Sequence, residues 1–146
     1  MYRFISRDNL SAAVDEAYLE ELERRFDFRF PQRLRDYYLQ HNGADIHASE
    51  FVAGGYRFCV AEMLAVKVGT LPVEKITANL DGEEGFEGYI PFAMDADYEY
   101  FYWHRETGQI VYIDREDAEN LLPVCSSMDD FFEILNTING KGVTND

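Results

Sequence analysis

Basic residues are scarce: 13 Lys and Arg stand against 28 Asp and Glu in 146 residues, a formal net charge of −15. That shortage excludes a nucleic-acid binder that works by neutralising phosphates, because a chain this acidic is repelled by them. Cysteine is scarce too. Cys59 and Cys125 each lie among apolar neighbours (Phe58-Cys59-Val60, Val124-Cys125-Ser126) and read as reduced core residues. A disulfide would need export, yet Met1 to Asp8 contains no apolar run of signal-peptide length. No stretch approaches the roughly 18 apolar residues of a membrane span, and repeats and low-complexity tracts are absent. The expectation is a cytoplasmic protein that does not enter a membrane.

What the chain has in quantity is aromatic surface: 10 Tyr and 11 Phe within a 47% hydrophobic composition. A chain of this length reads as one domain, burying about 68–70% of its unfolded surface, and that much aromatic area offsets the entropy of ordering it. The domain is expected to span 1–146, with a core from about 11 to 139 and a frayed tail from Gly140.

Ser11 or Asp15 can cap a helix to about Phe26, with Val14, Tyr18, Leu22 and Phe26 on one stripe. After a short connector, Pro31 suits the first turn of a second helix through Leu34, Tyr37, Tyr38 and His41, stopped by Asn42-Gly43. From Ser49 the period shifts to two. Residues 50–53 and 56–60 flank Gly54-Gly55 as a β-hairpin. Residues 61–68 are ambiguous between strand and helix, a short helix can start near Pro72, and 79–88 is a loop. Ile90 to Ala93 enters a second β section, and 98–104 with 109–114 flank Thr107-Gly108 as another hairpin. A closing helix starts at Ser126 or Ser127, with Asp129 and Asp130 in its first turn. The fold class is α+β: one antiparallel sheet, with the helical hairpin and the last helix on one face.

No strong catalytic signature appears. His41, His47 and His104 form no helical His pair, and the Asp95-Ala-Asp97-Tyr-Glu99 run lacks the glycine and closing Glu of a calcium loop. No nucleophile elbow exists, and Ser126-Ser127 is better explained as a helix cap. Gly82 to Gly88 has glycines, but its three glutamates would repel a phosphate. The reading is a non-enzyme without metal, cofactor or small-molecule substrate; a small hydrolase is a remote alternative.

The acids are unevenly placed. Residues 1–42 hold 8 acids and 7 Arg, so 43–146 hold 20 acids against 6 bases. Between Lys75 and Arg105 there is no base, while Asp81, Glu83, Glu84, Glu87, Asp95, Asp97 and Glu99 fall there among Tyr98, Tyr100, Trp103 and other aromatics. Alternation puts Tyr98, Tyr100 and Tyr102 on one strand face and Glu99, Phe101 and Trp103 on the other. Carboxylates mixed with Tyr and Trp suit a basic protein partner, the charge steering encounter and the rings anchoring it. Those seven acids with Tyr98, Tyr100 and Trp103 are the candidate partner-binding residues. The alternative is an acidic solvated surface over an aromatic core.

Several motifs together resemble the SUKH superfamily, and within it the Smi/Knr-type branch. These are Leu22-Glu-Arg-Arg-Phe26, Phe28-Arg-Phe-Pro31, Leu34-Arg-Asp-Tyr-Tyr38, Asn42-Gly43, Ile90-Pro-Phe-Ala93 with Asp95, the 97–114 hairpin, and Ser127 with Asp129, Asp130, Phe131 and Phe132. The resemblance covers about residues 15–138. Ala44 and Met128 depart from it, where a second glycine and a phenylalanine are usual. It implies an α+β fold and a non-catalytic role. That role is either an immunity protein that binds a toxin domain encoded nearby, often a nuclease, or a regulator of cell-wall glucan synthesis. It carries over no catalytic residue.

Overall fold

The computed structural model describes residues 4–5, 13–46 and 48–143, with the side chains of 4, 5, 45, 115 and 138–143 outside the description. Among the described residues are four helices: α1 (Glu16–Phe26), α2 (Gln32–His41), α3 (Val73–Leu80) and α4 (Met128–Val143). The strands are β1 (Phe4–Ile5), β2 (Asp45–Ile46), β3 (Ser49–Ala53), β4 (Tyr56–Val60), β5 (Glu62–Met63), β6 (Tyr89–Met94), β7 (Tyr100–His104), β8 (Ile110–Ile113) and β9 (Leu122–Cys125). The fold is α+β, as expected from the sequence. Its sheets are antiparallel: β5-β6-β7-β8-β9 in chain order, a β3-β4 hairpin, and the short β1-β2 pair.

Asp15 caps α1, its carboxylate accepting from the Tyr18 N–H at 2.9 Å; Ser11, the other candidate, lies outside the described residues. Asp27 ends α1 with a left-handed φ of 57° and donates its N–H to the Glu23 carbonyl. Glu23 then binds the connector, accepting from Phe30 N–H at 2.8 Å and from Arg35 at 3.0 Å. That ties the end of α1 to the connector and the start of α2. Asn42 clamps the end of α2 to the next segment, exchanging two 2.9 Å bonds with the backbone of Val66. Ser127 caps α4 through its hydroxyl, which accepts from Asp130 N–H at 3.1 Å. The backbone of α4 is helical to Val143.

The core is aromatic on both faces of the central sheet. On one face Phe101 meets Phe131 of α4 at 5.7 Å and Phe58 of the hairpin at 5.9 Å, while Trp103 meets Phe28 at 5.4 Å. The other face carries Tyr100 and Tyr102 and is capped by Phe86, 5.7 Å from Tyr102, from the loop after α3. Helices and the β3-β4 hairpin therefore cover one face and a loop covers the other. This corrects the expectation that β7 presents aromatics to solvent: Tyr100 is 6% exposed and Trp103 2%. Burying rings of this size stabilises the fold by about 1.5–3 kcal/mol each. No helix among the described residues is long and apolar enough to cross a membrane.

Candidate acidic interface

The loop from Asp81 to Gly88 is built by three successive turns, with N–H donation from Glu83 to Leu80, Phe86 to Glu83 and Tyr89 to Phe86. Phe86 is its buried anchor. Gly85 sits at φ 93° and packs so closely on Ala118 that a Cβ there would lie 3.4 Å from the Ala118 Cβ. Ala118 belongs to a second acidic loop, 114–120. Asp114 opens it by accepting from Glu116 N–H at 2.8 Å, and Asp117 accepts from the Asn120 amide at 3.0 Å. Glu83, Glu84, Glu87, Glu116, Asp117 and Glu119 are all exposed around this contact.

These carboxylates differ in kind from those of the helical pair. Arg35, only 14% exposed, bridges Glu16 and Glu23, both at 3.0 Å, with Glu20 at 3.9 Å; Arg24 pairs with Glu21, and Arg33 with Glu133 at 3.8 Å. Among the described residues Glu83, Glu84, Glu116 and Glu119 enter no ion pair. Two touching loops thus gather several exposed carboxylates that enter no ion pair among the described residues, and these project a field toward solvent.

The sequence expectation of one patch is corrected in two ways. The base-free stretch is split by β6, whose six residues separate the 81–88 loop from the 95–99 turn by about 17 Å at the usual strand rise. Asp81, Glu83, Glu84 and Glu87 lie at one end; Asp97, Tyr98 and Glu99 lie at the other. Asp95 is bound up in its own turn: its carboxylate accepts from Asp97 and Glu99 N–H, both at 2.9 Å, and from the Tyr112 hydroxyl at 2.6 Å. Tyr100 and Trp103 belong to the core. Glu116, Asp117 and Glu119 were missing from the sequence-derived set. Their acidic run was visible, but nothing in it signals packing against residue 85.

A groove of about 490 Å³ runs along the inner side of the 81–88 loop, between the half-buried rings of Phe26 and Phe28, Leu80 and the two arginines Arg25 and Arg105. The Thr77 hydroxyl on its wall donates to the Val73 carbonyl at 2.7 Å. His104 accepts through Nδ1 from the N–H groups of Glu106 and Thr107, and His47 lies outside the described residues. Burial pushes the Cys125 thiol from 9.0 up to about 12, the Asp130 charge adding to the rise, and raises Cys59 as well. Among the described residues no three His, Cys, Asp or Glu side chains gather as a metal would require.

The family model described as the SMI1 / KNR4 family (SUKH-1) matches residues 13–134, the span that contains both acidic loops and the first turns of α4. No curated protein matches the chain.

Proposed function

The chain belongs to the SMI1 / KNR4 family (SUKH-1), and on that premise we propose that it works without catalysis, as a cytoplasmic immunity protein that neutralises a basic toxin domain by covering it. The observation that carries this reading is the contrast between arginine-paired carboxylates on α1 and those on the 81–88 and 114–120 loops that enter no ion pair among the described residues. A solubility surface has no need to gather like charges on two loops held in contact. Such a field raises the rate of encounter with a cationic partner by up to about 10³ at low ionic strength. Occlusion also fits the fold, because both loops are fastened to the sheet, through Phe86 and through β8 and β9, and so hold one shape. A regulatory adaptor of cell-wall synthesis is the other role open to this family. The charge favours the toxin, since a nuclease or other anion-binding enzyme presents basic residues where its substrate docks.

The test is co-expression with the product of the neighbouring gene. The expected result is survival only when this chain is present, with the two proteins co-purifying. Reversing Glu83, Glu84, Glu116 and Glu119 to Lys should slow association at least about tenfold at low salt and much less at high salt. An unchanged rate removes the two loops as the interface. Protection that persists without any complex removes the occlusion mechanism.

A further inference from the structure

The groove on the inner side of the 81–88 loop is assembled from four separate segments, within 25–28, 77–83 and 86–90 and at 105, so no motif in the sequence marks it. Its volume of about 490 Å³ falls within the range of about 300–1,000 Å³ of small-molecule sites. One wall is aromatic. The left-handed turn at Asp27, with φ 57°, sets Phe26 and Phe28 side by side, their rings nearly parallel at 9° and their centroids 6.3 Å apart. Phe28 is braced edge-on by Trp103 at 5.4 Å and by Phe30 at 4.8 Å. Leu80 and Phe86 continue the apolar lining.

The charges on this groove do not meet. Arg25 and Arg105 line it together with Asp27, Asp81, Glu83 and Glu87, and among the described residues none of these six enters an ion pair, whereas Arg24, Arg33, Arg35 and Arg57 each do. Both groove arginines are exposed. Arg25 lies over the Phe26 ring, its guanidinium carbon 4.8 Å from the centroid. Arg105 is fixed at its backbone, where its N–H donates to the Gly88 carbonyl at 2.8 Å. Arg25 also stands in the last turn of α1, where a cation complements the helix dipole. That accounts neither for Arg105 nor for two guanidiniums on one aromatic groove in a chain with 13 Lys and Arg. Of the carboxylates, Glu87 accepts from the Gly85 N–H at 3.1 Å, so Asp81 and Glu83 are the pair on the loop side with capacity for a ligand.

We propose that this groove binds a small amphoteric aromatic molecule, of the class of a free aromatic α-amino acid. Its ring lies against Phe26 and Phe28, where offset or edge-on contact adds to the area buried. Its carboxylate takes donors from Arg25 and Arg105, which guanidinium groups offer in parallel pairs. Its ammonium meets Asp81 and Glu83. A dianion such as a phosphate ester is disfavoured, because four carboxylates outnumber two arginines on the lining. A simple cation would leave both arginines unanswered, and only a ligand of both signs engages the two sets at once. The role is one of binding without a chemical step, and it does not depend on the partner assigned to the acidic loops.

The test is an amide NMR titration of the isotope-labelled full chain with L-phenylalanine, beside three relatives that each lack one feature. L-phenylalanine amide lacks the carboxylate, N-acetyl-L-phenylalanine the ammonium, and L-alanine the ring. The expected result is that L-phenylalanine moves the amides of residues 25–28, 77–83, 86–90 and 105. Each relative should bind at least about tenfold more weakly, the loss of one charge-assisted or ring contact. Arg105→Gln should weaken L-phenylalanine by a similar factor without weakening the amide. Asp81→Asn with Glu83→Gln should do the same without weakening the N-acetyl compound. All three substitutions change exposed side chains, and the ligand series on the parent chain decides even where a variant misfolds. The proposal is overturned by no shift at millimolar L-phenylalanine, by shifts confined to residues outside the groove, by equal binding of L-phenylalanine and any of its relatives, or by binding indifferent to both variants.

Discussion

Asp95 shows how a single carboxylate can look like a recognition residue and serve the fold. Three donors converge on it, two backbone N–H groups and the Tyr112 hydroxyl. Bonds to a charged acceptor contribute about 1.5–3 kcal/mol each, though not additively. Asp95→Ala is therefore expected to cost roughly 2–4 kcal/mol, a fall of about 5–15 °C in Tm for a domain of this size. Tyr112→Phe, which removes one donor, should cost a fraction of that. Thermal melts of the two variants check the ordering, and equal losses would contradict it. A second expectation concerns pH. Burial, reinforced by a hydrogen bond to Glu74, lifts the Tyr18 hydroxyl from 10.0 to about 12, and Cys125 rises from 9.0 to about 12. Both groups are held neutral in the fold, so the unfolded chain loses their protons first. Their contribution is complete below pH 9 to 10 and disappears as pH climbs through about 12. Urea midpoints followed across that window should fall less steeply in Tyr18→Phe and Cys125→Ala than in the parent chain.

Elements with a clear period were legible from the sequence. Helix α1 shows its stripe at Tyr18, Leu22 and Phe26, and the β3-β4 and β7-β8 hairpins are marked by Gly54-Gly55 and Thr107-Gly108. Strands β1, β2 and β5 were not, because two residues carry no period. Strand β9 was hidden by Pro123, which an edge strand tolerates. The least legible feature was which face of β7 meets what. Alternation separated Phe101 and Trp103 from Tyr100 and Tyr102 correctly, but the cover of Tyr102 comes from the tertiary return of Phe86. The loop that carries Phe86 is pinned at its end by Gly88, whose carbonyl accepts from Arg105 N–H at 2.8 Å. Gly82 and Gly88 share a φ of 81°, yet a Cβ at Gly82 meets open space while one at Gly88 would lie 2.7 Å from His104 Nε2. Gly82→Ala should cost about 1 kcal/mol from backbone strain, and Gly88→Ala roughly 2–4 kcal/mol from strain plus the displaced imidazole. Matched denaturation curves decide it. Equal losses would mean that the loop end is not fixed by β7.

At the scale of the whole molecule, the net charge of −15 carries an energetic consequence that separates binding from stability. Like charges on the 81–88 and 114–120 loops repel across the Gly85–Ala118 contact, and no arginine among the described residues relieves Glu83, Glu84, Glu116 or Glu119. The native state is thus held together against a field of its own making. Screening reduces that cost, since the Debye length shrinks from about 30 Å at 0.01 M salt to about 8 Å at 0.15 M. Tm should accordingly rise by a few degrees over this range. Glu84→Lys combined with Glu119→Lys should be more stable than the parent at low salt, by about 0.5–1 kcal/mol, with a flatter response to added salt. The same double substitution should slow association with a basic partner. Higher stability alongside slower binding is what selection for recognition predicts, because a surface kept only for folding would not retain charges whose reversal improves it. Lower Tm in the double variant would show instead that the two glutamates support the loops, and would return the acidic surface to a structural role. Calorimetry at the two salt concentrations, run beside stopped-flow association with the co-expressed partner, distinguishes these outcomes on the same pair of proteins.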